Sequence, residues 1–382
     1  MIQDNSKVIS YKIEEHFSKK YGREAEVAIQ SPGRINVIGE HTDYNLGYVL
    51  PAAIDHYMFV AVSKNGNDKI NLYSVDYDEE KQINLKDEIV RGDSGWLNLI
   101  AGVVKQLQKQ ISGFDLVFGG NIPEGAGVSS SAALCCGVAM AVSELFDLKL
   151  QKWDIAKIAQ KSEHTFALVH CGIMDQFACL FGLTNHVLLL NCRDFTYEES
   201  EVAITGFRFL LINSNVKHTL GDSDYNTRKD ESGEALRLLK TWNPEVGTYQ
   251  DVTRQMIDEC QPKMDAELWK RAFHIVTENQ RVFLMKDALK KKDQDKVGSL
   301  LTEGHTSLKE NYKVTCEETD FLVDELVSKE RVLGARQVGG GFGGCVLALV
   351  KDADISQTLA AVEKSYRKKF GLSIDNIPVK IS

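Results

Sequence analysis

The pattern of apolar and polar positions along the 382-residue chain predicts a mixture of helices and strands. The run from Arg34 to Ile38 alternates polar and apolar residues, as a half-buried strand does, and the turn-forming residues EHTDYN interrupt it. Apolar runs and helical periodicity predict strands around 26–63, 114–119, 186–191, 207–213 and 335–350, and helices around 7–20, 131–146, 154–169, 226–241, 265–292, 317–328 and 354–370. The loose segregation of these elements favours an α+β fold over a doubly wound parallel sheet.

Length and composition suggest a globular protein of two domains. The texture of the chain changes near residues 195–206, which predicts domains at 1–200 and 201–382. A net charge of -9 argues against an extended nucleic-acid surface, although not against an anionic substrate. The apolar stretch from Ala132 to Val142 is too short to span a bilayer, and the N-terminus lacks the apolar core of a secretory signal. We therefore expect a cytoplasmic protein without membrane or nucleic-acid partners, with its eight scattered cysteines reduced.

Residues 33–50 read GRINVIGEHTDYNLGYVL and bring four kinds of polar group together. Arg34, Glu40, His41 and Asp43 lie within ten residues of one another and are flanked by apolar positions. Polar groups concentrated on a loop that leaves a strand are suited to binding a small, hydroxyl-rich ligand. Taken alone, the cluster is equally compatible with a solvated turn that carries an ion pair.

A glycine- and serine-rich turn precedes the predicted apolar helix at 131–146. Gly125 and Gly127 allow positive φ angles and a close approach of the backbone to a ligand. The three following serines, Ser129–Ser131, occupy the N-cap and first-turn positions of the helix. The open N–H groups and the dipole of that helix would form an anion site suited to a nucleotide triphosphate. Ordinary capping of a buried helix is the alternative, but it requires only one serine.

This turn is not a Walker A motif, because no Lys-Ser or Lys-Thr pair follows its glycines. Compensation of phosphate charge must then come from a metal ion and from other parts of the site. Glu163 lies one position off the apolar stripe of the predicted helix at 154–169 and is a candidate metal ligand. A lone glutamate on a helix is otherwise usually solvated.

A second glycine loop, QVGGGFGGCVLALV, contains a G-x-G-x-x-G pattern at Gly339, Gly341 and Gly344. A dinucleotide-binding fingerprint must open a helix, whereas these glycines run into an apolar segment typical of a strand. The pattern therefore predicts a tight loop between strands that passes close to a ligand or to the facing domain.

Two further residues are candidates for the chemistry. Asp175, in CGIMDQF, is either a helix cap or a working carboxylate. If Arg34 lies beside it, the aspartate stays ionised and can accept or orient a hydroxyl proton, while the arginine stabilises charge on a phosphoryl group. Tyr225, after a polar turn, either covers the core or offers its hydroxyl to a sugar.

Taken together, these segments resemble the galactokinases of the GHMP small-molecule kinase superfamily. GRINVIGEHTDYNLGYVLP resembles the galactokinase signature, PEGAGVSSSAAL the superfamily's phosphate loop, and GGGFGGCVLAL its third glycine motif. CGIMDQF and VKHTLGDSDYNTR are similar to other family segments and stand in the expected order. Val128 stands where leucine is usual and Gln337-Val338 where Met-Thr or a similar pair is common, both outside the residues that would carry chemistry.

The resemblance implies a role for individual residues. Asp175 would be the catalytic base or the anchor of the anomeric hydroxyl, and Arg34 would stabilise the transition state. The sugar would be bound by Glu40, His41, Thr42, Asp43, Gly172, Asp175 and Tyr225. The ATP phosphates would be wrapped by Gly125, Ala126, Gly127, Val128, Ser129, Ser130 and Ser131. Ser131 and Glu163 would hold Mg²⁺.

The resemblance also implies a fold and a reaction. Residues 1–200 would form an N-terminal domain of ribosomal-protein type, with a left-handed βαβ crossover and both ligand loops. Residues 201–382 would form a ferredoxin-like domain that closes the active site. The reaction would be ATP-dependent phosphorylation of α-D-galactose at its anomeric hydroxyl, the entry step of the Leloir pathway, by a protein expected to be monomeric.

Three alternatives remain open. The first is a kinase for N-acetylgalactosamine, whose enzymes share most of these motifs. The second is a galactose- and ATP-binding sensor without catalysis; such proteins can lose residues of the serine-alanine segment, whereas Ser129–Ala133 is intact here. The third is a purely structural two-domain protein, for which five matching motifs leave little room.

Overall fold

The computed structural model describes residues 5–93, 95–123, 125–216 and 221–381. Glu124 of the phosphate loop and part of the segment VKHTLGDSDYNTR lie outside the described residues. The α-helices are α1 Asn5–Tyr21, α2 Gly95–Leu107, α3 Ser130–Leu145, α4 Lys152–Ser162, α5 Met174–Phe181, α6 Gly221–Trp242, α7 Arg254–Cys260, α8 Ala266–Lys291, α9 Gln294–Ser307, α10 Glu317–Val327 and α11 Ile355–Phe370. The strands are β1 Val27–Asn36, β2 Tyr48–Val49, β3 Pro51–Lys64, β4 Lys69–Ser74, β5 Glu79–Asn84, β6 Phe114–Gly120, β7 His186–Asn191, β8 Tyr197–Glu201, β9 Phe207–Asn213, β10 Val332–Gln337, β11 Cys345–Lys351 and β12 Asp375–Pro378.

Most of the predicted elements are confirmed, including the order in which they occur. One prediction needs correction. The helix expected at 154–169 is regular only as far as Ser162, and a π-helical turn, Glu163–Ala167, follows it. Several elements were not predicted, namely α2, α5, α7, α9, β4, β5, β8 and β12.

Contacts divide the chain into two compact units. The described residues of unit 1 lie within Met1–Arg34, Ala53–Glu124 and Val128–Gly182, and those of unit 2 within Ile35–Ala52, Gly125–Gly127 and Leu183–Ser382. By this division the loop at 35–52 is packed with the later part of the chain. The domain boundary between residues 200 and 201 stays a prediction.

Unit 1 is built around a five-stranded sheet in the order β1-β3-β6-β4-β5. β3 pairs with β6 and β4 with β5 antiparallel, whereas β4 pairs with β6 in parallel. The amphipathic α1 buries Ile13 and Phe17 against Phe59 and Val117 of this sheet. α3 is apolar on nearly all sides and packs with α2, α4 and α5, so it is enclosed as a core helix.

Unit 2 contains a four-stranded antiparallel sheet, β10-β11-β9-β12, and a three-stranded sheet, β2-β7-β8. The chain order of the first sheet, β9, helices, β10, β11, α11 and β12, is the β-α-β-β-α-β order of a ferredoxin-like domain. α10 and α11 cover this sheet with apolar residues such as Leu322 and Val362. α8 begins at the N-cap Asp265, whose carboxylate accepts hydrogen bonds from two backbone N–H groups of the first turn.

Across the described ranges, none of the helices combines the length and the apolar character that crossing a bilayer requires.

Candidate functional site

The phosphate-loop segment takes the backbone conformation that its glycines predict. Gly125 and Gly127 both have φ near +68°, in the left-handed region that glycine enters without strain. The next residue, Val128, is buried, and its carbonyl oxygen accepts a hydrogen bond of 3.1 Å from the backbone N–H of Arg34. The helix α3 begins two residues later at Ser130, so its first N–H groups follow directly on the loop.

Ser129 occupies the expected N-cap position of α3, but its side chain does not cap the helix. Its backbone is left-handed, with φ +62°, which is uncommon for a residue other than glycine. In this conformation the hydroxyl turns away from the helix N–H groups and donates a 2.5 Å hydrogen bond to Oδ2 of Asp175. Ordinary capping of the helix, the alternative interpretation of these serines, therefore does not apply to Ser129.

Asp175 and Arg34 form the pair that their sequence contexts suggested. The guanidinium donates from Nε to Oδ1 and from Nη2 to Oδ2, both at 2.7 Å, in a bidentate, charge-assisted contact. The Arg34 side chain is 6% exposed and that of Asp175 21% exposed, so the carboxylate is the more accessible partner. Asp175 lies in the first turn of α5, and Gly172 lies three residues before it. The Asp175 carboxylate is therefore held by Arg34 and Ser129 and is still accessible to a ligand.

Glu163 lies where α4 changes into the π-helical turn. It is buried, and it accepts hydrogen bonds from the Ser131 hydroxyl, at 2.6 Å, and from the side-chain amide of Gln176. Burial raises the pKa of Glu163 to about 7, although the hydrogen bond from Ser131 acts in the opposite direction. π-Helical turns inside helices are frequent at functional sites. The solvated alternative for Glu163 is thus excluded.

The polar loop of residues 39–48 is held by its own backbone. The Thr42 hydroxyl shares its single proton between the carbonyl oxygens of Gly39, at 2.8 Å, and Tyr48, at 2.6 Å, and the side chain of Thr42 is fully buried. Asp43 opens a short 3₁₀ turn, Asp43–Asn45. Gly39 has φ +106°, and a side chain there would come within 2.8 Å of the Tyr48 carbonyl oxygen. Thr42 therefore fastens the loop.

A buried ionic network surrounds Glu40. Its carboxylate pairs with the guanidinium of Arg336 and accepts a 2.8 Å hydrogen bond from the side-chain amide of Asn36. Arg336 also lies 3.6 Å from the carboxylate of Glu278, and both of these side chains are completely buried. Burial alone would raise the pKa of Glu278, but the charge of Arg281 and its other neighbours lowers it to about 2. The sequence reasoning missed Arg336 and Glu278; Arg336 was signalled only by its charge inside an apolar strand, and Glu278 is one of several charged residues of the long helix α8.

An aromatic cluster surrounds His41. Its ring centroid lies 4.8 Å from that of Tyr312 and 5.5 Å from that of Tyr225, and Tyr44 packs edge-on against it. Burial lowers the pKa of His41 to about 3, so the imidazole is neutral at physiological pH. Tyr225, carried by α6, thus lies beside the imidazole of the polar loop.

The second glycine loop joins β10 to β11, as predicted, and does not open a helix. Gly339 has φ +89°, and a Cβ atom there would lie 3.1 Å from the Cα atom of Gly127. That contact would be tighter than ordinary van der Waals distance, so a side chain at Gly339 would have to displace the backbone of Gly127. The second glycine loop therefore packs backbone against backbone on the phosphate-loop glycines.

Three family descriptions match the chain. Residues 98–183 match the GHMP kinases N terminal domain, residues 15–64 match the galactokinase galactose-binding signature, and residues 285–368 match the GHMP kinases C terminal domain.

Individual relatives extend this similarity over nearly the whole length. The galactokinase of Thermotoga maritima is 40% identical over 91% of this chain and 95% of its own. That of Bacillus subtilis is 37% identical over 90% of each. The crystal structure of Lactococcus lactis galactokinase complexed with galactose has a TM-score of 0.92, with 33% identity and 98% coverage of both chains. The mevalonate kinase of Methanococcus jannaschii, at 20% identity and a TM-score of 0.64, shares the fold.

Proposed function

The chain belongs to the galactokinase family of the GHMP kinases, and we propose that it transfers the γ-phosphoryl group of ATP to the anomeric hydroxyl of α-D-galactose. The products are α-D-galactose 1-phosphate and ADP. Membership in a sugar-kinase family and the near full-length similarity to galactokinases support this substrate pair. Location and oligomeric state stay predictions.

The observation that carries the proposal is the geometry around Asp175. Its carboxylate receives two hydrogen bonds from Arg34 and one from Ser129, so its orientation is fixed. A carboxylate held in this way can accept a hydrogen bond from the attacking hydroxyl and take up its proton. The Arg34 guanidinium beside it can stabilise negative charge on the transferring group. Phosphoryl transfer requires mainly such positioning and electrostatic stabilisation.

The phosphate chain of ATP would be held by main-chain groups. Residues 125–131 offer left-handed glycines followed by the N-terminus of α3, a combination that favours anions. Ala126 and Val128 contribute backbone rather than side-chain groups, since both side chains are buried. Ser130, in the first helical turn, would offer its hydroxyl to a phosphate oxygen.

A magnesium ion fits the donor set at Ser131 and Glu163. Among the described residues, no group of three or more His, Cys, Asp or Glu side chains is arranged to hold a metal. Mg²⁺ bound with a nucleotide commonly takes only one or two protein oxygens, because phosphates and waters supply the rest. When bound, the ion neutralises developing charge on the phosphate oxygens. Gln176, which donates to Glu163, orients this carboxylate.

The polar loop of residues 39–48 offers several groups that would recognise the hydroxyl groups of galactose. Glu40, His41 and Asp43 offer acceptors for hydroxyl groups, and Tyr225 lies beside the His41 ring. For Thr42, whose hydroxyl is committed to two carbonyl oxygens, only a contribution through backbone groups is proposed. Gly172, just before α5, would contribute through its backbone.

The proposal is tested by sugar-dependent release of ADP from Mg-ATP with galactose, N-acetylgalactosamine, glucose and arabinose. We expect the highest kcat/KM with galactose. A higher kcat/KM with N-acetylgalactosamine would show that this sugar, not galactose, is the substrate. Binding of galactose and ATP without turnover of any sugar would favour a galactose- and ATP-binding sensor without catalysis.

The role of Asp175 is tested with the nearly isosteric Asp175→Asn. We expect kcat to fall about 10²- to 10⁴-fold, because the amide cannot accept the hydroxyl proton, while ATP affinity is retained. Asp115→Asn is the matched control, since Asp115 is also a carboxylate of unit 1 that pairs with an arginine, Arg23. It should lower stability and spare kcat. Equal effects of the two variants on kcat would reject the catalytic role.

A further inference from the structure

The imidazole of His41 uses only one of its two ring nitrogens. Nδ1 lies 2.8 Å from the hydroxyl oxygen of Tyr44, whereas Nε2 is buried and has no hydrogen-bond partner among the described residues. The side chain as a whole is 5% exposed. A buried polar atom without a partner is costly, so such an atom in a loop of this composition points to a ligand.

Hydrogen bonds link His41 to Tyr44, Tyr44 to Tyr312, and Tyr312 to a backbone carbonyl oxygen, and this last acceptor determines the direction of the whole series. Tyr312 lies 3.4 Å from the backbone carbonyl oxygen of Arg228, which can only accept, so the Tyr312 hydroxyl donates there. A tyrosine hydroxyl has one proton. Tyr312 must therefore accept from the Tyr44 hydroxyl, 3.0 Å away.

The same count of hydroxyl protons determines the tautomer of His41. Tyr44 uses its single proton on Tyr312, so it must accept from Nδ1–H of His41. The ring is neutral and carries one proton, which leaves Nε2 with a lone pair and no hydrogen. This is an acceptor, not a donor.

We propose that Tyr44 and Tyr312 are positioning residues that hold His41 as its Nδ1–H tautomer, so that Nε2 selects a hydroxyl donor on the sugar. The inference rests on the proposed function for the identity of the ligand, but the tautomer is a property of the protein alone. The opposite tautomer would place an N–H donor at Nε2. Such a donor would bind an ether oxygen, a fluorine or any other acceptor at that position and would not require a hydroxyl group.

Ring packing also holds Tyr312, the second of these two tyrosines, in place. The Tyr312 ring lies 4.8 Å from that of His41 and 4.6 Å from that of His274, so it is fixed between two imidazoles. The pair of tyrosines therefore controls both the orientation and the proton position of His41.

The direct test is nuclear magnetic resonance of the full chain labelled with ¹⁵N at its histidines, the His41 signals being assigned by their loss in His41→Gln. We expect a protonated-type Nδ1 and an unprotonated-type Nε2 in the sugar-free protein. A protonated Nε2 would overturn the proposal whether or not the protein phosphorylates galactose. An inactive protein with the expected tautomer would instead count against the proposed function.

Kinetics provide the second test. In Tyr44→Phe and Tyr312→Phe the ring is free to change tautomer, and we expect KM for galactose to rise about tenfold, the equivalent of one hydrogen bond, with kcat and KM for ATP nearly unchanged. Tyr249→Phe is the control, because Tyr249 is a buried tyrosine of the same unit whose hydroxyl donates to the Ser232 carbonyl. The positioning role would be refuted if KM for galactose were unchanged in Tyr44→Phe and Tyr312→Phe, or if it rose equally in Tyr249→Phe.

Discussion

At the scale of single residues, the left-handed backbone of Ser129 gives its hydroxyl a specific task. With φ +62°, the residue forgoes capping of α3 and donates to Asp175. Non-glycine residues in such a conformation cost about 1–2 kcal/mol and cluster at functional sites. Ser129 thus connects the phosphate loop to the proposed base, a role distinct from the phosphate contact that the family resemblance implies.

Two substitutions at Ser129 separate the hydroxyl from the backbone. We expect Ser129→Ala and Ser129→Gly to lower kcat about ten- to a hundredfold alike, since both remove a hydrogen bond to a charged group. The glycine variant should be more stable to urea than the alanine variant by about 1 kcal/mol, because glycine adopts this φ without strain. If Ser129→Ala instead keeps kcat and raises only KM for ATP, Ser129 is a phosphate ligand.

The pairing of Arg34 with Asp175 could be predicted, because each stands in a distinctive polar context between apolar residues. The buried ionic network around Glu40 could not be predicted. Arg336 and Glu278 come from parts of the chain far from residue 40, and a charged residue in a strand or a long helix is ordinarily solvated. The hydrogen bond from Ser129 to Asp175 could not be predicted either, because it depends on a left-handed backbone conformation that serine disfavours.

At the scale of elements, the second glycine loop supports the phosphate loop through main-chain contact. A methyl group added at Gly339 would lie 3.1 Å from the Cα atom of Gly127 in the phosphate loop, closer than ordinary van der Waals contact. Sequence patterns identified a tight loop between strands here, but not its neighbour. Likewise, the apolar period of residues 154–169 could not distinguish a continuing α-helix from the π-helical turn at Glu163, since both continue the same run of residues.

Gly339→Ala should weaken nucleotide binding. The new methyl group would displace the phosphate loop, so we expect KM for ATP to rise about tenfold or more, with a smaller change in KM for galactose. Gly371→Ala is matched in backbone strain, since Gly371 ends α11 with φ +71°, but a Cβ atom there would meet nothing within 4 Å. Both variants should lose about 1 kcal/mol of stability. An equal effect of the two on KM for ATP would show that strain, not the contact, is responsible.

At the scale of the whole molecule, the sequence predicted the α+β class and three strands of the ferredoxin-like sheet, β9, β10 and β11, because each is a distinct apolar run; it did not predict β12. It could not assign residues 35–52 to unit 2. That assignment depends on bonds to α8, such as Gly39 N–H to Glu278 and Tyr48 N–H to Asn279, both at 2.9 Å. Tertiary contacts of this kind leave no trace in local periodicity.

These buried contacts also predict how the stability of the molecule depends on pH. Burial lowers the pKa of His41 to about 3 and that of His274 to about 4, against about 6.5 in an unfolded chain. The unfolded state therefore binds more protons than the folded state between about pH 4 and 6.5, and stability falls as the pH falls through this window. Glu163, whose pKa is raised to about 7, contributes in the opposite sense, since the stability linked to it is lost as the pH rises.

A single variant isolates the histidine contribution from these opposing effects. His274→Gln keeps a side chain that can bond Ser307 and the Glu40 carbonyl oxygen, as the imidazole does at 2.9 and 3.1 Å, but it cannot titrate. Between pH 7 and pH 5 the parent protein should lose about 2 kcal/mol more of its free energy of unfolding than the variant. Urea unfolding at each pH, followed by tryptophan fluorescence and by circular dichroism, measures this difference while contributions common to both proteins cancel. Parallel pH curves for the two proteins would mean that His274 is protonated as readily in the folded protein as in the unfolded chain, and the buried network would then have to be open to water.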